Sequence, residues 1–227
     1  MTDDVKDRVL DAALAHVPFD GWSDRSLRAA AADAGVDAGL AQALFPRGGV
    51  DLALAYHARG DALMVARLSE TDLAALRFRD RIAKAVRLRL EEADPELVRR
   101  GTTLFSLPHH AADGAKAIWG TADRIWTALG DTSQDVNWYT KRATLSAVYG
   151  ATVLYWLGDT SPGQQATWAF LDRRIDGVMQ IEKLKASFRE NPIGKAVMAG
   201  PGKVLARIRA PKLPGDLPGS ILGRFPR

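Results

Sequence analysis

The stretch DVNWYTKRATLSAVYGATVLYWLG, Asp135–Gly158, decides how the rest of the chain is read. Lys141 and Arg142 stand near its start beside Trp138 and Tyr139, and Ala143–Leu157 then runs fifteen residues without a charge. A helix that spans a bilayer needs about 20 apolar residues, so this one is expected to be buried in protein. Helical spacing puts Trp138, Arg142, Leu145, Tyr149, Thr152 and Trp156 on one face. Tyr139, Ala143, Ser146, Gly150 and Val153 lie about 100° round from them.

The flanking segments supply matching apolar stripes. Residues 110–129 contribute Ala115, Ile118, Ala122, Ile125, Trp126 and Leu129, and residues 164–189 contribute Trp168, Leu171, Ile175, Val178 and Met179. Four of the six tryptophans and three of the four tyrosines fall between Ala117 and Gly158. Such stripes form either a filled core or the wall of an apolar pocket. Small residues (Ala147, Gly150, Ala151, Thr152) among the large ones allow close helix contacts or room for a ligand. Arg142 shares the face of Trp138 and Leu145, and an unpaired buried cation is very costly. It reaches solvent, pairs with Asp135 or another acid, or meets an anionic headgroup.

Helical periodicity holds outward in both directions, and no convincing alternating strand pattern occurs. Helices are expected over Val5–Val17, from a Ser23 or Asp24 cap to Ala34, over Asp37–Phe45, Gly49–Ser69 and Arg77–Ala93, and from Asp94-Pro95 onward. The last long helix runs from Gln164 to about Arg189, and Asn191-Pro192 ends it. The fold class is all-α, a bundle of about nine or ten helices. Three regions are distinguished: a three-helix unit at 1–60, a helical domain at 61–190, and a basic tail at 191–227.

At 227 residues, 47% hydrophobic and 26% charged, the chain has ordinary globular composition. The absence of cysteine excludes a disulfide framework, thiolate zinc sites and a Cys nucleophile. The first residues, MTDDVKDRVLDAA, show neither a secretory nor an Arg-rich transit pattern, so the expected location is the cytoplasm. Residues 1–60 hold six Lys/Arg against nine Asp/Glu, whereas residues 183–227 hold ten against two. Any anionic partner is therefore sought at the tail. There Ile193, Lys195, Val197, Met198, Lys203 and Val204 form a basic, apolar-faced segment suited to a membrane surface, although GPGK at 200–203 interrupts a continuous helix.

The segment LRAAAADAGVDAGLAQALF has helix-turn-helix spacing around Ala34-Gly35-Val36. It resembles the N-terminal domain of TetR-type repressors. DNA affinity comes largely from neutralised phosphates, yet residues 37–44 contain no Lys or Arg and offer Gln42 as the single base-reading side chain. The unit reads as a packing or dimer element without nucleic-acid binding; a TetR-type regulator with a hydrophobic effector is the alternative.

No catalytic constellation emerges. His109 and His110 are adjacent and diverge on a helix. His109 and Asp113 are spaced i, i+4, but no Glu-x-x-His supports a di-iron bundle. GPGK lacks the following Ser/Thr and a preceding strand. No catalytic residue, metal or cofactor is assigned.

GDTSQDVNWYTKRATLSAVYGATVLYWLGDTSPG, preceded by LFSLPHHAADGAKAIWGTADRIW and followed by TWAFLDRRIDGV, resembles the Coq-nine family of ubiquinone-biosynthesis lipid-binding proteins, here as a bacterial member. The likeness runs over about 100 residues from Arg77 to Val178 and centres on D-x-N-W-Y-T-x-R and D-x-S-P. It implies a TetR-like fold that does not bind DNA, a homodimer, a deep apolar lipid pocket and a C-terminal membrane-contacting helix. It further implies a non-enzymatic accessory role, peripheral to the inner membrane. There the protein would hold a phospholipid or prenylated quinone intermediate and present it to a di-iron hydroxylase. On this reading Arg142 meets the lipid headgroup, and Trp138 and Tyr139 face the hydroxylase or the pocket mouth. Leu145, Tyr149, Thr152, Trp156, Ile125, Leu171 and Ile175 line the pocket.

Overall fold

Among residues 2–190 and 209–211, which this computed structural model describes, the chain forms nine α-helices and no strand. They are α1 (Thr2–Asp20), α2 (Asp24–Asp33), α3 (Ala38–Leu44), α4 (Gly49–Ser69), α5 (Phe78–Glu91), α6 (Pro95–Phe105), α7 (Ala111–Ala128), α8 (Val136–Trp156) and α9 (Gln165–Glu190), with one 3-10 turn at Pro162–Gln164. The sequence-derived boundaries agree within a few residues. The residues expected at the membrane, Ile193, Lys195, Val197, Met198, Lys203 and Val204, lie outside the described residues.

Side-chain caps set several helix starts. Ser23 accepts from the Ser26 amide, Asp37 from Gly39 and Leu40, Asp94 from Glu96 and Leu97, and Asp135 from Asn137. Each satisfies amides that the first turn leaves unpaired, worth about 1 kcal/mol. Gly35, between α2 and α3, has φ +62°, a backbone conformation that side chains with a Cβ rarely adopt.

Two apolar cores result. Val9, Leu10, Val17, Trp22, Leu27, Phe45 and Leu52 pack the N-terminal helices together. Met64, Leu68, Val86, Ile125, Leu145, Trp156, Leu171 and Ile175 belong to the second. Helix α4 runs from one to the other, with Leu52 in the first and Met64 in the second. The division at residue 60 thus falls inside a continuous helix. Among the described residues no helix is long and apolar enough to cross a membrane.

Candidate functional site

The start of α8 shows how the chain deals with Arg142. Its side chain is buried, its Nε donates to Asp123, and its Nη1 donates to Asp131 at 3.0 Å and to the Trp138 carbonyl at 3.1 Å. The guanidinium also stacks 4.1 Å from the Trp138 ring centroid. Asp131, itself buried, accepts a second cation, Lys141 Nζ, at 2.7 Å. Burial alone would raise the Asp131 pKa, but hydrogen bonds from Lys141, Ser133 and Arg142 outweigh it and hold the carboxyl well below the usual range. The cation therefore has acid partners from the end of α7 and the following loop, neither of them Asp135.

Further along α8 the opposite arrangement holds. Tyr149, Gly150, Val153 and Leu154 form one wall of a cavity of about 520 Å³, with α4, α6 and α7 around the rest. That lies within the roughly 300–1,000 Å³ common for ligand sites. Its lining includes Trp22, Ala53, Leu97, Val98, Phe105 and Ile118. Glycine opens the space at Gly150, where an added Cβ would lie 3.7 Å from Ile118, its nearest neighbour. At Gly114 glycine serves close packing instead, because a Cβ there would come 2.7 Å from Phe105. The exposed lining residues, Ser106, Ala111, Ala115 and Leu154, mark the mouth, whereas the buried Ala53, Arg89, Leu97 and Tyr149 mark the floor.

That floor carries a polar network. Arg89 Nε donates to Asp61 at 2.7 Å, both side chains being 3% exposed, so the two charges cancel where water is excluded. The Thr121 hydroxyl donates to Asp61 (2.9 Å), and His57 Nε2 stands 2.8 Å from Thr121 Oγ1 and 3.2 Å from the Ala117 carbonyl. A carbonyl only accepts, so Nε2 carries the proton and donates. His57 Nδ1 is then the acceptor facing Arg89 Nη2 at 3.4 Å. Burial lowers the His57 pKa from its ordinary value, against the pull of Asp61, which keeps the ring neutral. Burial likewise raises the Tyr149 hydroxyl, which stays protonated.

Of the side chains expected at a lipid, Tyr149 lines this cavity. Leu145 and Ile175 line a smaller one of about 180 Å³ on another side of α8, with Ile82, Trp126 and Val178. Ile125, Thr152, Trp156 and Leu171 are buried in the bundle and line neither; Arg142 and Trp138 also line neither. Tyr139 is exposed and donates its hydroxyl to the Arg209 carbonyl at 3.3 Å, beside the Ala210 amide on Gln134 (3.0 Å). Sequence reasoning missed His57, Arg89, Asp61 and Thr121. A signal existed in the i, i+4 spacing of His57 and Asp61 on α4, but nothing in the sequence brings Arg89 to them. His109 and His110 remain outside the site, their rings 4.0 Å apart, while Asp113 accepts from Arg47. Among the described residues no group of three or more His, Asp or Glu side chains could hold a metal ion.

Residues 111–182, from α7 into α9, match the COQ9 family. The Ubiquinone biosynthesis protein COQ9, mitochondrial, of Drosophila melanogaster is 32% identical over 188 residues, covering 80% of this chain and 57% of that protein. The human protein of the same name is 31% identical over 183 residues, covering 77% of this chain and 57% of its own length. The chain belongs to the COQ9 family. It spans a little over half the length of these two relatives, 57% in each case. Among solved structures, a TetR transcriptional regulator from Nitrosomonas europaea superposes with a TM-score of 0.59 at 19% identity, covering 75% of this chain and 95% of that one. The fold is therefore the TetR-like all-α bundle expected from the helix-turn-helix spacing. At that identity the likeness concerns fold alone.

Proposed function

We propose that this COQ9-family chain is a non-enzymatic accessory protein of ubiquinone biosynthesis. It binds an isoprenoid quinone intermediate or a phospholipid in the cavity between α4, α6, α7 and α8 and presents it to a membrane-bound hydroxylase. The observation that carries the reading is the cavity of about 520 Å³, walled by α8 and largely apolar, in a chain whose relatives are named ubiquinone biosynthesis proteins. Each CH₂ taken from a bilayer needs about 0.8 kcal/mol of compensation, which an enclosed cavity can supply and a shallow groove cannot. The protein acts as a homodimer at the inner-membrane surface, with the basic tail on the bilayer and Trp138 and Tyr139 toward the hydroxylase. The absence of Lys and Arg from residues 37–44 argues against the alternative of a DNA-binding regulator.

Solvent extraction of the purified protein followed by mass spectrometry tests this. A near-stoichiometric prenylated quinone precursor or phospholipid is expected. An empty extract, repeated after incubation with quinone-bearing vesicles, would refute lipid binding.

A further inference from the structure

The mouth of the cavity stays apolar out to the protein surface. Leu154 lines the cavity yet is 63% exposed. Leu107, in the loop from α6 to α7 between the lining residues Ser106 and Ala111, is 43% exposed. Ala111, Ala112 and Ala115 are exposed at the start of α7, and Tyr155, next to Leu154, is 40% exposed and stacks on Phe170 at 4.5 Å. The Ser106 hydroxyl already donates to the Thr103 carbonyl. The acids of the flanking segments are also taken up: Asp113 by Arg47, Glu96 by Arg99 and Arg100, and Asp159 by the Ser161 and Thr167 amides. Lys116, beside Ala115 and exposed, forms no ion pair among the described residues. His109 and His110 share the loop of Leu107.

We infer that this rim is a second bilayer-docking surface, pressed on the membrane so that a hydrocarbon chain passes into the cavity without crossing water. The inference rests on the proposed lipid-binding function and adds the face through which the lipid is loaded. Three physical points support it. Every methylene exposed to water on the way out of a bilayer is unfavourable, and an apolar rim sealed on the membrane removes that exposure. Lys116 is free to meet an anionic leaflet, and the Tyr155 and histidine rings combine an apolar body with a polar tip suited to the headgroup level. The rim also surrounds an opening. A protein partner seated there would meet a hole where interfaces are packed, whereas lipid fills it. Two leucines and a tyrosine bury too little to hold the protein on a bilayer by themselves, so adhesion stays with the basic tail. Arg209 and Ala210 of that tail are bonded to Tyr139 and Gln134 at the start of α8. Leu154 lies about 22 Å beyond Tyr139 along the helix, at about 1.5 Å per residue. With the tail at one end and the rim at the other, α8 lies along the membrane.

The test loads the delipidated 227-residue chain in two ways. A fluorescent long-chain phosphatidylglycerol is offered in vesicles of phosphatidylcholine and phosphatidylglycerol, and a short-chain homologue is offered as dissolved monomers. Leu107→Glu and Ala112→Glu alter rim positions that do not line the cavity, and an acid in the first turn of α7 suits the helix. Each should slow transfer from vesicles roughly tenfold or more, the scale of losing one leucine's transfer free energy. Monomer affinity should stay unchanged, which also reports an intact fold, and flotation through the tail should persist. Equal losses with both presentations would make the rim a wall of the binding site, and undiminished transfer from vesicles would remove it from the loading path. A change of oligomeric state on Leu107→Glu, read by sedimentation, would assign the face to a second copy of the chain. Each of these three results overturns the docking surface and leaves lipid binding in place. If the unmodified chain takes up lipid from neither source, the lipid-binding function itself fails, and the docking surface with it.

Discussion

The substitution Arg142→Met separates a structural cation from a ligand-binding one. The arginine is 2% exposed, and its partner Asp131 has a side chain 2% exposed, so the change strips a buried carboxylate of one of two cations. Breaking a buried ion pair costs about 3–5 kcal/mol when one charge is left uncompensated. Lys141 still holds Asp131 at 2.7 Å, and Asp123, 42% exposed, returns to water, which places the loss at the lower end. Losing the stack on Trp138 adds about 0.5–1 kcal/mol. The total is about 3–4 kcal/mol, within the roughly 5–15 kcal/mol of a typical domain. With a urea dependence of about 3 kcal/mol per M, the unfolding midpoint should fall by about 1 M, read by circular dichroism.

The same substitution has a pH signature. The Asp131 carboxyl is held below its ordinary range in the folded protein, so its contribution is present above the unfolded value of about 4 and lost as pH falls toward the folded one. A methionine in place of the guanidinium no longer helps to hold that pKa down, so the variant has less of this stability to lose. The gap between the two proteins should therefore narrow below about pH 4. Lipid content per folded molecule should stay the same at neutral pH. A midpoint shift under about 0.3 M with lipid lost would refute the structural assignment and return Arg142 to a headgroup.

Two further outcomes test the packing and the tail. Gly49→Ala places a Cβ 2.3 Å from the Ser23 amide nitrogen and the Trp22 carbonyl, both backbone. Melting should drop by about 4–10 °C for a clash of about 2–3 kcal/mol; an unchanged melting temperature would show that α4 does not meet the α1–α2 connection this closely. Removing residues 191–227, which contain seven Lys or Arg, should abolish flotation with anionic vesicles, at about 1 kcal/mol for each Lys or Arg near the surface. Retained flotation would place the membrane surface elsewhere.

Local signals made the fold legible. Ser23, Asp37, Asp94 and Asp135 announce their helices because a cap acts on amides two or three residues away. The charge-free run of α8 announced burial for one face only: Leu145, Tyr149, Thr152 and Trp156 lie inside, whereas Leu154 and Tyr155 of the same run are exposed. The cavity was less legible, because periodicity defines the faces of a helix but not which neighbour each face meets. Tyr149 lies at the edge between two faces, and Gly150 and Val153 line the cavity beside it, whereas Thr152 and Trp156 turn into the bundle.

The two arginines carry the same lesson about charge. Arg142 drew attention because it stood at the head of an apolar run, whereas Arg89 was hidden among the cations of an amphipathic helix. Yet Arg89 is the one at the cavity, 28 residues from its partner Asp61 in sequence and on a different helix. A buried cation must find its counter-charge before it can serve a ligand. Asp61 neutralises Arg89, and the pair holds His57 and Thr121 in one buried network. Asp61→Asn leaves Arg89 buried without its counter-charge, which should cost about 3–5 kcal/mol and lower the urea midpoint by more than about 1 M. An unchanged midpoint would show that the pair does not stabilise the bundle.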